Sequence, residues 1–170
     1  VYKRQEICNE KGVLVINELF DGWHKAKNGN VNDYAKWFNQ QIGAENQIVD
    51  GKANMTWAEF DLKSTIDQGK NDPSIIMWSL GNEISEGASE GGYYDISKNL
   101  IKWAREVDTS KPLTIGSNRV KGVIGQSNNE HIKIANDLTA VGGMSGTNYS
   151  GGNNYDALHQ AYPCLLYTSP

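Results

Sequence analysis

Cysteine is nearly missing from this 170-residue chain. Only Cys8 and Cys164 occur, too few and too far apart for a disulfide framework or a metal-ligand spacing. Histidine is as sparse. His24, His131 and His159 share no close spacing, so there is no zinc motif and neither a metal nor another cofactor is expected. No apolar run approaches the ~18 residues that a bilayer span requires, so no membrane partner is expected. Charge runs of either sign are lacking too, with 16 basic against 20 acidic residues. No basic stripe points to nucleic acid, and no acidic block to a solvated tail. A mildly acidic surface suits a neutral, sugar-like ligand, but it suits many other proteins equally.

What is present is more informative. Five Trp and eight Tyr stand in the chain. Aromatic rings stack on the apolar faces of sugars and also fill cores, so only position separates the two uses. Four short apolar runs read as buried strands: 13–16, 75–80, 113–116 and a weaker one within 138–149. Helical patterns lie between them. Thr56 and Glu59 form a capping box that opens a helix over 57–68, with Ala58, Leu62, Thr65 and Ile66 on one face and Gly69 suited to the C-terminal cap. A second helix spans 93–107, where Ile96, Leu100, Trp103, Ala104 and Val107 recur at helical spacing, making Trp103 a core residue. A further helix ending near Glu10 precedes the first strand. The Gly/Asn-rich stretch 149–155 reads as a loop. Alternating strands and helices predict an α/β fold with a parallel sheet. The long polar segment 20–50 reads as a loop insertion after the first strand. The ends, 1–5 and 164–170, resemble adaptor-derived sequence and are expected to be non-native flanks of a native 6–163.

One strand carries candidate chemistry. The run Ser74-Ile75-Ile76-Met77-Trp78-Ser79-Leu80 ends in Gly81-Asn82-Glu83. Glycosidic bond cleavage commonly needs one carboxyl group to protonate the leaving oxygen and another to attack the anomeric carbon or activate water. A strand end holds such a group rigidly, Gly81 would let the backbone turn, and Asn82 can hydrogen-bond a sugar hydroxyl. The dipeptide by itself says nothing, because Asn-Glu recurs at 9–10, 17–18, 82–83 and 129–130. Strand followed by Asn-Glu occurs twice, at Glu18 and Glu83. On pattern alone, a solvated strand-end carboxylate stays an equal reading.

The wider stretch Asn71-Asp72-Pro73 through Asn82-Glu83 resembles the acid/base signature of family 2 glycoside hydrolases, the family of β-galactosidases, β-glucuronidases and β-mannosidases. Gly12 through Glu18 with Phe20-Asp21-Gly22-Trp23 resembles that family's third strand and exit loop. Asp61-Leu62-Lys63 resembles its helix before the fourth strand. Lys111 through Asn118 resembles its fifth strand, and Gly146-Thr147-Asn148-Tyr149-Ser150 its sixth, followed by Tyr155-Asp156-Ala157-Leu158-His159. The resemblance implies a partial (β/α)8 barrel holding the third to sixth strands, since a complete barrel needs roughly 250 residues. It implies Glu83 as general acid/base and Asn82 as the asparagine on the hydroxyl beside the anomeric carbon. Tyr149 would be the tyrosine near the nucleophile. Glu18 sits where the family shows Asp-Glu, with Asn17 as a departure. Asp21 and Trp23 either line the pocket or pack the loop, Asn118 is a strand-exit pocket candidate, and Trp78 is expected to fill the barrel. The nucleophile, a Glu ending the seventh strand, lies outside this chain, and Glu86, Glu90, Glu106 and Glu130 do not replace it. The implied parent is a retaining exo-glycosidase with a carbohydrate substrate, and the chain alone is expected to be inactive. An endo-acting (β/α)8 glycanase of the same clan, or a non-catalytic carbohydrate-binding remnant, are the rival readings.

Overall fold

The computed structural model describes residues 2–30, 34–43, 52, 54–84 and 92–163. The expected flank 164–170, with Cys164, and the loop residues Glu86 and Glu90 lie outside these. The elements run α1 (Tyr2–Lys11), β1 (Val15–Glu18), α2 (Ala35–Phe38), α3 (Trp57–Gly69), β2 (Ile75–Asn82), α4 (Tyr93–Val107), β3 (Leu113–Ser117), α5 (Glu130–Ala140), β4 (Met144–Thr147) and α6 (Gly152–Ala161). The four strands form one sheet in the order β1-β2-β3-β4. Every pairing is parallel. This is the alternating α/β architecture of a barrel segment, with half the strands of a closed (β/α)8 barrel.

Helix α3 begins where the Thr56 hydroxyl accepts the Glu59 backbone N–H at 3.2 Å. Its buried residues are Ala58, Leu62, Ile66 and Gly69, while Thr65, expected on the same face, is exposed. Gly69 is not a cap. It is the last helical residue, and a Cβ there would lie 2.8 Å from the Trp78 ring and 2.9 Å from Ile75. Glycine thus lets α3 settle directly onto β2. Helix α4 has the expected bounds and buries Tyr93, Ser97, Leu100, Ile101 and Ala104, with Trp103 packed partly buried against the core. From its last turn, the Arg105 guanidinium donates to the carbonyls of Asp108 (3.0 Å), Lys111 (2.8 Å) and Val141 (2.7 Å), tying two loops together.

Three helices depart from the sequence reading, the first being the short α2 inside the segment 20–50 expected as a loop. Helix α5 starts at Asn129, whose side chain accepts the His131 N–H at 3.0 Å, and buries Ile132, Ile134, Ala135 and Leu138. Helix α6 begins at Gly152, inside the stretch expected as a loop. Trp78 also sits elsewhere than expected. It points away from the barrel interior into the layer between sheet and helices, fully buried, with its indole N–H donating to Asp108 at 2.8 Å. The core joins that layer: Leu62, Ile66, Trp78, Leu80, Leu100 and Leu113 are each fully buried.

Candidate active site

Parallel pairing sends all four strand ends to one rim, so the residues that leave β1, β2, β3 and β4 meet there. The face of the sheet turned away from the helices forms an open hollow of about 470 Å³, lined by Glu18, Ser79, Asn82, Thr114, Gly116 and Asn148 among others. Glu18 reaches into it and accepts a hydrogen bond from the Ser79 hydroxyl at 3.0 Å.

The exit of β2 is bent twice. The pairing with β3 shifts register between Ser79 and Asn82, and Glu83 then takes a left-handed backbone, φ 47°. Gly81 is not the turning residue. Its missing side chain instead admits Trp23 and Ile84, which a Cβ would meet at 2.9 and 2.6 Å. A left-handed non-glycine residue costs roughly 1–2 kcal/mol, and such strain persists only where its surroundings hold it. Here the holding is visible. The Glu83 N–H donates to the Gly116 carbonyl (2.8 Å) and the Asn148 N–H to the Ser117 carbonyl (2.8 Å), so β3 anchors the exits of both β2 and β4. The Asn148 side-chain Nδ2 then donates to Asn82 Oδ1 (2.8 Å) and to Glu83 Oε1 (2.9 Å). Gly116 makes room beneath this group, since a Cβ there would stand 2.6 Å from Asn82 Oδ1.

The loop after β1 is strapped onto the same exit. The Trp23 indole N–H donates to the Leu80 carbonyl at 2.9 Å. The Lys27 ammonium donates to the Asn82 carbonyl (2.9 Å) while pairing with Asp21 (2.7 Å). Trp23 therefore packs the loop and does not line the pocket; it is fully buried and lies 5.2 Å from the Tyr93 ring. Asp21 is exposed and engaged by Lys27. Tyr149 stands at the rim after β4, 77% exposed, with φ 54°. Lys121 donates to its carbonyl and lies 5.8 Å over its ring. Asn118 lines a separate depression with Arg119, Lys121, Asn129 and His131. The structure thus brings Glu18, Asn82 and Glu83 to the rim that also carries Tyr149.

Sequence reasoning passed over Asn148, Lys27 and Ser79. Asn148 carried a signal, as the residue between a strand and the singled-out Tyr149. Lys27 carried none, because a lysine in a polar loop looks like any other. Among the described residues no group of three or more His, Cys, Asp or Glu could hold a metal ion, and no helix is long and apolar enough to cross a membrane.

Comparison with known proteins identifies the family and the fold. The family described as glycosyl hydrolases family 2, TIM barrel domain, matches residues 2–141. A putative β-glucuronidase of Formosa agariphila is 31% identical over 139 residues, covering 79% of this chain and 11% of that protein. A β-galactosidase of Bacteroides ovatus is 27% identical over 143 residues, covering 66% of this chain and 15% of the relative. A solved family 2 member from Bacteroides cellulosilyticus superposes with a TM-score of 0.67 at 28% identity, over 94% of this chain and 16% of that one. The chain thus spans only a small part of the relatives it matches.

Proposed function

Since the chain belongs to the family 2 glycoside hydrolases, we propose that it supplies the acid/base half of a retaining β-glycosidase site. Glu83 is the proton donor and Asn82 holds the hydroxyl beside the reacting carbon. In the first step the Glu83 carboxylic acid gives its proton to the glycosidic oxygen as the bond to the anomeric carbon breaks. A second carboxylate attacks that carbon from the opposite face and forms a glycosyl ester. In the second step the Glu83 carboxylate takes a proton from water, the water oxygen bonds to the anomeric carbon, and the ester carboxylate leaves. The attacking carboxylate in this reading is a glutamate at the end of a seventh strand, which the four-stranded sheet of the described residues does not include. The two carboxyl groups of a retaining pair stand about 5–5.5 Å apart. The substrate in this reading is a β-linked carbohydrate of the kind named for the relatives, a β-galactoside or β-glucuronide, removed by exo-action.

One observation carries the reading: Glu83 leaves the strand end in a strained backbone, and its carboxylate is gripped by Asn148 beside Asn82 on the rim above the hollow. Such strain at a strand exit gathers where function over-determines geometry. The test replaces Glu83 with Gln in the complete barrel. Hydrolysis of glycosides with poor leaving groups should fall roughly 10²–10⁴-fold. Formation of the glycosyl ester from activated aryl glycosides, which need little protonation, should persist. Undiminished turnover of both substrate classes would sink the assignment.

A further inference from the structure

We infer that Asn148 is a positioning residue that decides which oxygen of Glu83 carries the catalytic proton. This rests on the acid/base reading of Glu83 and adds to it a residue from a different strand exit. A side-chain amide nitrogen has two hydrogens. Asn148 spends one on Asn82 Oδ1 at 2.8 Å and one on Glu83 Oε1 at 2.9 Å. Against the ionised Glu83 the amide can present only its nitrogen, since its oxygen would face a carboxylate oxygen, acceptor against acceptor. With Asn148 Nδ2 facing both partners, Asn82 must present Oδ1 to it, which leaves the Asn82 NH2 free to donate elsewhere. On Glu83, Oε1 faces a donor, so a proton on the carboxyl group sits on Oε2. Oε2 is the oxygen that protonates the leaving group and later accepts the proton of water.

The backbone supports this assignment. Asn148 is not a freely moving surface amide, because its own N–H is anchored on the Ser117 carbonyl at 2.8 Å. Glu83 is anchored one residue earlier on the same strand, at the Gly116 carbonyl. Two strand exits are thereby referenced to a third, and the side-chain bridge closes the triangle. Among the described residues, the charged and titratable groups around this rim include Glu18 from β1, Lys27 and Asp21 from the loop beyond it, Lys121 from beyond β3 and Tyr149 from beyond β4.

The test uses the complete enzyme with Asn148→Asp, Asn148→Ala and, as reference, Glu83→Gln. Asn148→Asp is nearly isosteric but sets a like charge against Glu83, which favours the protonated acid. The alkaline limb of the kcat/KM profile for a poor leaving group should move up by about one pH unit. Asn148→Ala frees the carboxylate, and kcat for poor leaving groups should fall ~10–100-fold, the scale of a lost hydrogen bond to a charged group. For activated aryl glycosides kcat/KM, which reports formation of the glycosyl ester, should stay near the wild-type value. A limb that stays in place in Asn148→Asp, or equal losses on both substrate classes, overturns the inference while Glu83→Gln still separates the classes. If Glu83→Gln separates nothing, the acid/base reading itself has failed.

Discussion

The two faces of the sheet obey different rules. Towards the helices, Trp78, Leu80 and Leu113 project into a layer filled by Leu62, Ile66, Leu100 and Ala104. Towards the hollow, the same strands present Glu18, Ser79, Asn82, Thr114 and Gly116, interspersed with Ile16, Met77 and Met144. On the first face, volume and apolar character decide what fits, and burial of large side chains drives folding. On the second, polar side chains set among these apolar ones are held by directional hydrogen bonds, and the backbone tolerates a left-handed glutamate. Stability and chemistry are thus divided between alternate residues of one strand as far as Ser79 and Leu80, and the register shift before Asn82 turns that residue to the hollow.

The largest expected effect breaks the helix-facing side. Trp78→Ala should cost about 3–5 kcal/mol, because a fully buried indole leaves a cavity that a packed layer cannot close. Its neighbour on the other face, Ser79, loses a single hydrogen bond in Ser79→Ala, at about 1 kcal/mol. Denaturant unfolding of the two variants measures the contrast directly. Equal shifts in midpoint would deny that the faces differ.

Next in size is a pH effect under the same tryptophan. Burial pushes the Asp108 carboxyl up. The Ser110 hydroxyl, the Trp78 indole and the backbone N–H groups of Ser110 and Lys111 outweigh it and hold the pKa at about 2, below the ordinary 3.8. A depressed carboxylate stabilises the fold above its unfolded pKa, and that contribution is lost as pH falls through the folded value. About 2 kcal/mol should therefore disappear between pH ~4 and ~2. Asp108→Asn should flatten this acid limb in a series of unfolding curves. An unchanged limb would place the acid sensitivity elsewhere.

The two faces were unequally legible. Apolar periodicity marks α3, α4 and the strands because packing against helices needs large side chains at fixed spacing. Helix α5 carries the same signals, an Asn129 cap and buried Ile132, Ala135 and Leu138, and was obscured by the weak strand that follows it. Helix α6 was hidden by glycine and asparagine at its start, residues that local propensity assigns to turns. The polar residues of the hollow alternate with apolar ones such as Ile16 and Met77, so apolar periodicity does not single them out. Glu83 and Asn82 were found by resemblance to a known signature. Lys27 and Asn148 act through partners 55 and 65 residues away in sequence, and no local pattern encodes such distances.

The smallest change in stability, and the sharpest separation of the faces, is expected from Gly116→Ala. Gly116 has no left-handed backbone to protect, and the nearest atom to an added Cβ is the end of a flexible side chain, Asn82 Oδ1 at 2.6 Å. The methyl group can be accommodated if that amide swings aside. Alanine also removes conformational freedom from the unfolded chain, worth ~0.4–1 kcal/mol in favour of the fold, so the net shift should stay within about 1 kcal/mol of zero. The amide cannot swing aside without leaving Asn148, which holds Glu83 through the same nitrogen. Displacements approaching 1 Å in a catalytic constellation cost on the order of 10²-fold in rate. A complete enzyme carrying Gly116→Ala should therefore unfold as the wild type does and turn over substrate at least tenfold more slowly. Full activity with unchanged stability would mean that the hollow tolerates the methyl group. The Asn82–Asn148–Glu83 bridge would then be dispensable to whatever the rim does.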